Sequence, residues 1–328
     1  MQPLKFNPIF KDKIWGGNKM KSLLGKDYGG LPNCGESWEL SGVPGNVSVV
    51  SEGQWKGRDL NSLIAEFGEE LVGKHNYRKY GNEFPLLVKF IDASQDLSIQ
   101  VHPDDKLAGE RHRSKGKTEM WYIIHSDPGS TLIAGFRKEL DKKTYLDYLD
   151  RGEISDLLNV EIAEKDDVFY IPAGRVHNIG KGLLLAEIQQ SSDITYRIYD
   201  FDRLDAQGKK RELHTELALD AIDFRAYENY KLRYDKSTRN KNQELVQSPF
   251  FTTNRLYYTG SFSRDFQEHD SFTIFTCLQG SGSISNGTTE VNISAGEVVL
   301  IPASNKKIGI KVDREIKLIE TYIVQNGH

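Results

Sequence analysis

A chain of 328 residues with 43 Lys and Arg against 47 Asp and Glu carries a formal charge of −4, so no general electrostatic pull draws it to nucleic acid or an anionic membrane. Its two cysteines, Cys34 and Cys277, stand far apart, which excludes a disulfide framework and a CxxC zinc knuckle and suits a reducing cytoplasm. No run approaches the roughly 18 apolar residues of a membrane span, and residues 1–15 lack a signal peptide's apolar core, so neither secretion nor membrane insertion is expected.

In chain order the pattern predicts a helix first, with Leu60, Leu63, Ile64, Phe67 and Leu71 on one face behind an Asp59 cap. A strand over 85–91 follows, then Leu97-Ser98-Ile99-Gln100-Val101-His102-Pro103, a polar loop over 104–115 and a strand over 119–124. A helix over 140–158 precedes strands at 168–171 and 183–188, and a third helix is expected over 213–224. The chain turns polar and lysine-rich over 227–243, which places a domain junction near 235, and a strand over 272–278 lies beyond it.

A weak repeat crosses that junction. Residues 167–177, ending Ile171-Pro172-Ala173-Gly174-Arg175-Val176-His177, align without gaps on 297–307 at an offset of 130 (297 − 167). An acidic residue, an apolar strand and Ile-Pro-Ala before a turn resemble the second sequence box of cupins, which are small double-sheet jelly rolls. The expected fold is therefore mainly β, with two cupin-like jelly-roll domains. Residues 1–235 form the first, with helical insertions and the catalytic site; residues 236–328 form the second, without a metal site because Lys307 stands where His177 does.

Gln100 and His102 are two apart on a strand and so share a face. With Glu119 and His177 they supply two imidazoles, a carboxylate and an amide oxygen, a set that suits zinc, iron or manganese and leaves room for substrate. The other histidines, His75, His112, His125, His214, His269 and His328, have no partners at useful spacing and read as structural or solvated. Gly116-Lys117-Thr118 ends like a phosphate-binding loop, but Arg111 stands where that motif needs Gly, so no nucleotide loop is expected.

Three further residues carry chemical potential. Lys117, two before Glu119, shares the cavity face if the strand has already begun. Glu187 is a carboxylate inside the apolar run 183–188, costly there unless paired or functional. Arg197 can hold a phosphate through its fork of donors, or it can pair with Asp193 or Asp200.

In order along the chain, Pro3-Leu4-Lys5-Phe6, Ile14-Trp15-Gly16-Gly17, Gln100-Val101-His102-Pro103, Gly116-Lys117-Thr118-Glu119-Met120-Trp121-Tyr122, Pro172-Ala173-Gly174-Arg175-Val176-His177 and Ser192-Asp193-Ile194-Thr195-Tyr196-Arg197 resemble the short bacterial type I mannose-6-phosphate isomerases. The resemblance runs from residue 3 to about 203 and continues more faintly beyond. It implies a zinc-dependent aldose–ketose isomerase that interconverts mannose 6-phosphate and fructose 6-phosphate, with one Zn²⁺ per chain and a hexose phosphate as its partner. By motif position it implies His102, Glu119, His177 and Gln100 as metal ligands, Arg197 as the active-site arginine, and Lys117 and Glu187 in the pocket. The base that moves the proton is then Glu187 or a metal-bound hydroxide. Two rivals are a metal-dependent cupin dioxygenase and a non-catalytic sugar-phosphate-binding cupin; the sequence leaves the oligomeric state open.

Overall fold

A computed structural model of the chain describes residues 1–204 and 208–323. His328 lies outside the described residues. The first strands are β1 (Leu4–Lys5), β2 (Ile9–Gly17), β3 (Cys34–Leu40), β4 (Leu86–Asp92), β5 (Ile99–Val101) and β6 (Glu119–Ser126). They are followed by β7 (Thr131–Phe136), β8 (Leu158–Ile162), β9 (Val168–Ile171), β10 (His177–Ile179), β11 (Leu183–Gln190) and β12 (Tyr196–Tyr199). Beyond residue 235 come β13 (Asn242–Gln247), β14 (Thr252–Tyr258), β15 (Phe262–Asp265), β16 (Thr273–Ser285), β17 (Glu290–Ser294), β18 (Val298–Ile301) and β19 (Lys307–Tyr322).

Two sheets face each other in the N-terminal half, ordered β2-β3-β4-β11-β6-β9 and β12-β5-β10-β7-β8. Strand alternation explains why both faces of the first are buried. Trp121, Ile123, Leu183 and Leu185 point inward to a core between the sheets, whereas Met120, Tyr122, Leu184 and Ala186 point outward to a second core. That outer core is shared with Ile274, Leu300 and Ile319 of the C-terminal half, so the two halves pack through one continuous apolar layer. The C-terminal half is a single eight-stranded sheet curled around Phe275, Cys277, Ile310 and Leu318. Antiparallel sheets enclosing side chains in this way match the jelly-roll arrangement expected from sequence.

The repeat is visible in the strands: β9 and β18 are both four residues long and begin 130 residues apart, and β10 and β19 open on His177 and Lys307. β1 departs from a simple division of the chain near 235. It pairs with β18, Leu4 against Leu300, and so adds an N-terminal strand to the C-terminal sheet.

The helices fall near their expected places with shorter spans. Asp59 caps Ser62 N at 2.9 Å, and α2 (Leu60–Phe67) ends where Gly68 takes a positive φ, which separates Leu71 into the next helical turn. The expected 140–158 helix is α6 (Lys142–Asp150) followed by a 3₁₀ turn at Ile154–Leu157, and that over 213–224 is α7 (Thr215–Ala221). The polar loop expected over 104–115 is instead α5 (Asp105–His112), capped by Asp104 on Leu107 N. With only Ala108 buried, it has no apolar stripe to announce it, and the cap supplies its start. Short helices α1 (Lys19–Leu24), α3 (Glu69–Val72) and α4 (Lys74–Tyr80) complete the set. Among the described residues no helix is long and apolar enough to cross a membrane.

Candidate active site

Register across the five-stranded sheet lines up three of the expected residues. His177 on β10 is the direct partner of Gln100 on β5, and Gln100 is in turn the partner of Arg197 on β12. His102 follows β5 on the Gln100 face, and Glu119 opens β6 in the facing sheet. His102, Glu119 and His177 are almost wholly buried, and their donor atoms all lie within 4.8 Å of one another. Glu119 Oε2 is 3.6 Å from His102 Nε2, and Glu119 Oε1 is 3.5 Å from His177 Nε2.

Backbone carbonyls set the imidazoles. His102 Nδ1 lies 2.8 Å from Ile194 O and His177 Nδ1 lies 2.8 Å from Arg175 O. A carbonyl only accepts, so each Nδ1 carries the hydrogen and each Nε2 turns its lone pair toward Glu119. Burial, joined by the charge of Lys117, holds both imidazoles neutral, His102 well below its ordinary range and His177 down to about 3. Burial and the charge of Glu187 push Glu119 up to about 7. Neither Glu119 oxygen accepts a well-formed hydrogen bond, although Lys117 Nζ approaches Oε2 to 2.9 Å. A buried carboxylate left without hydrogen bonds beside two converging lone pairs fits a divalent cation. Gln100 turns its amide Nε2 to His177 Nε2 at 3.2 Å, while its Oε1 accepts from Ser98 Oγ at 3.3 Å, so the amide has to turn over before its oxygen can serve as the expected fourth ligand.

Lys117 precedes the first residue of β6, so the strand has not begun there, yet extended chain carries the alternation back and buries the side chain. Its Nζ is also 3.0 Å from His102 Nε2. Burial lowers its affinity for a proton, but Glu119 and Glu187 outweigh that and keep it charged. Gly116 is needed for a close approach rather than for a nucleotide: a Cβ there would stand 2.6 Å from the Asp104 and Asp105 backbone.

Above this floor opens a cavity of about 470 Å³. Six cations line it, Lys11, Lys13, Lys89, Lys117, Arg197 and Arg211, against three carboxylates, Glu36, Glu187 and Asp193. Glu187 sits between Lys89 on β4 and Trp121 on β6. Its Oε1 is 3.2 Å from Lys89 Nζ, and its Oε2 accepts from Trp121 Nε1 at 2.9 Å. Glu36 accepts from Trp38 Nε1 at 2.6 Å; burial would raise it, but Lys89 and Lys13 prevail and hold it at about 2. Arg197 donates from Nη1 to Glu212 O at 2.7 Å and makes no ion pair among the described residues, whereas Asp200 pairs with Arg203 and Arg211.

The cavity thus gathers Gln100, Lys117, Glu187 and Arg197, with His102, Glu119 and His177 buried against Gln100 and Lys117 rather than lining it, and adds Lys11, Lys13, Glu36, Lys89 and Arg211, which were missed. Lys89 carried the signal that exposed Glu187, a lone charge in the apolar run Leu86-Leu87-Val88-Lys89-Phe90-Ile91. Arg211 sits in a polar segment with no periodicity to place it.

Residues 3–154 match the model of the phosphomannose isomerase type I catalytic domain, and residues 241–323 match that of the mannose-6-phosphate isomerase cupin domain. The mannose-6-phosphate isomerase of Streptococcus mutans is 37% identical over 317 residues, which cover 96% of this chain and 97% of that protein. The chain belongs to the type I phosphomannose isomerase family. Mannose-6-phosphate isomerase ManA of Bacillus subtilis is 35% identical over 92% of this chain and 93% of its own length. The crystal structure of the mannose 6-phosphate isomerase from Bacillus subtilis superposes with a TM-score of 0.87 at 32% identity, covering 98% of this chain and 100% of that one. Phosphomannose isomerase relatives therefore span both halves of the fold.

Proposed function

We propose that the chain is a mannose-6-phosphate isomerase that interconverts mannose 6-phosphate and fructose 6-phosphate through an enediolate. The observation that carries this reading is the buried His102–Glu119–His177 cluster, two neutral imidazoles facing one carboxyl group, beside a cation-lined cavity in a chain of this family. His102, Glu119 and His177, with Gln100 as fourth donor, would hold one Zn²⁺ per chain. When bound there, the ion acts as a Lewis acid toward the oxygens at C1 and C2 of the open-chain sugar.

Moving the carbonyl from C1 to C2 requires loss of the C2 proton and its return at C1, while the hydroxyl proton of O2 passes to O1. Glu187 lines the cavity and stays ionised because Lys89 and Lys117 outweigh its burial, which makes it the base in this proposal. Lys117 places a fixed positive charge beside the oxygens that become negative, where low dielectric strengthens it. Arg197 holds the substrate by the row it shares with Gln100 and His177. In this division of labour residues 1–235 do the chemistry and residues 236–328 form a unit without a metal site. The two buried free cysteines suit a cytoplasmic enzyme.

The test is to supply mannose 6-phosphate to purified protein with and without a chelator and to follow fructose 6-phosphate. Chelator-sensitive product without oxygen uptake supports the isomerase; oxygen consumption points to a dioxygenase, and binding without turnover to a sugar-phosphate-binding cupin.

A further inference from the structure

Arg197 and Arg211 enter the cavity from the β12 side, away from the histidines. Their immediate charge is lopsided. Asp200 is one carboxylate among three guanidiniums, taking Arg203 Nη2 at 2.5 Å and Arg211 through two donors, Nε at 2.7 Å and Nη2. Asp193 and Glu212 lie nearby, but neither forms an ion pair with an arginine among the described residues. Arg197 keeps a buried Nε without a hydrogen-bond partner. Burial and the proximity of Arg211 hold the Arg197 guanidinium below its ordinary value, the mark of two cations crowded at one place.

The spacing says what anion belongs there. His177, Gln100 and Arg197 are on adjacent strands, so the backbones of His177 and Arg197 are about 10 Å apart, roughly the length of an open-chain hexose phosphate. We propose that Arg211, held in plane by Asp200, forms with Arg197 a two-guanidinium clamp for the phosphoryl end of the substrate, and that Arg211 sets the preference for phosphorylated over neutral hexose. This rests on the functional reading above. Two of the five donors of Arg211 are committed to Asp200, which fixes the plane and leaves the other edge for phosphate oxygens. Asp200 is then a positioning residue.

The experiment compares wild type with Arg211→Ala, Arg211→Lys and Asp200→Asn, each checked for folding by circular dichroism. Calorimetry reads affinity for sorbitol 6-phosphate, which has no carbonyl to isomerise, for sorbitol and for inorganic phosphate; kinetics reads KM and kcat for mannose 6-phosphate. Arg211→Ala is expected to weaken sorbitol 6-phosphate binding and raise KM by about 10- to 100-fold, the range of a charge-assisted hydrogen bond, with a smaller change in kcat. Arg211→Lys should recover only part of this, because the fork is lost. Asp200→Asn should raise KM in the same sense, and binding of sorbitol should be the same in all four proteins. Competition by inorganic phosphate that weakens in parallel assigns the site to the phosphoryl group alone.

Sorbitol 6-phosphate affinity within twofold of wild type in Arg211→Ala overturns the clamp, as does an equal loss for sorbitol. A wild type that binds sorbitol 6-phosphate through Arg211 without isomerising mannose 6-phosphate upholds the clamp and removes the isomerase reading.

Discussion

Glu187 and Lys89 are direct partners across β11 and β4, with charged atoms 3.2 Å apart and both side chains nearly excluded from solvent. A carboxylate this deep normally gains a proton, and burial does push Glu187 that way. Lys89 and Lys117 outweigh it and keep the group below its ordinary value, while Glu119 is pushed upward. Two neighbouring carboxylates are thereby driven apart in character, one toward proton transfer and the other toward an incoming cation.

Glu187→Gln keeps the size and the Trp121 contact but removes the base. The variant is expected to retain zinc, by metal analysis, while kcat falls by about 10²- to 10⁴-fold and exchange of the C2 proton with solvent water disappears. Retained exchange removes Glu187 from the role.

His102→Ala deletes one of the two lone pairs facing Glu119. Metal content and isomerase activity should be lost together, with the far-ultraviolet circular dichroism of the sheets preserved. A variant that keeps full zinc content shows that His102 is not a ligand.

Chelation should also register without any assay of turnover. An ion that binds only the folded chain adds about 4 kcal/mol at a thousandfold excess over its Kd, so stripping the metal lowers Tm and returning Zn²⁺ restores it. The same addition should leave the Tm of Glu119→Ala unmoved.

Asp166 ties the two halves together. Its oxygens meet Lys317 Nζ at 2.7 and 2.9 Å and accept from Tyr122 at 2.8 Å, and these contacts outweigh burial to lower its pKa. A lowered carboxylate contributes stability above its unfolded value of about 4 and loses it as pH falls through the folded value. Lys317 is itself held below its ordinary value by burial, which offsets part of the attraction, so Asp166→Asn should cost about 1–2 kcal/mol at pH 7. Asn tolerates the positive φ at this position, and the wild-type advantage in urea titrations should begin to shrink below about pH 4 and be lost as pH falls further, through the lower folded value.

Much of this was legible in the residues. Glu119 and Glu187 announce themselves as charges in strands that are otherwise apolar, and the Ile-Pro-Ala repeat fixes both β9 and β18. Lys89 shows the same signature, and the rule that found Glu187 applies to it equally. What a linear reading lacks is register. Nothing in the local pattern says that Gln100 lies between His177 and Arg197, because that follows from pairing among strands up to 97 residues apart. Helix α5 was hidden because its stability comes from a cap and neighbouring loops rather than from an apolar stripe. Arg211 was hidden because an irregular segment places it.

β1 has a bearing on how the molecule comes into being. Leu4 and Lys5 emerge from the ribosome early, yet the edge they zip onto, Leu300 and Val299, is made roughly 300 residues later. This seam between the halves can therefore form only after residue 300 has been made, whereas the wall that carries Lys11 and Lys13 pairs with β3, Lys11 against Glu36, within the first 40 residues.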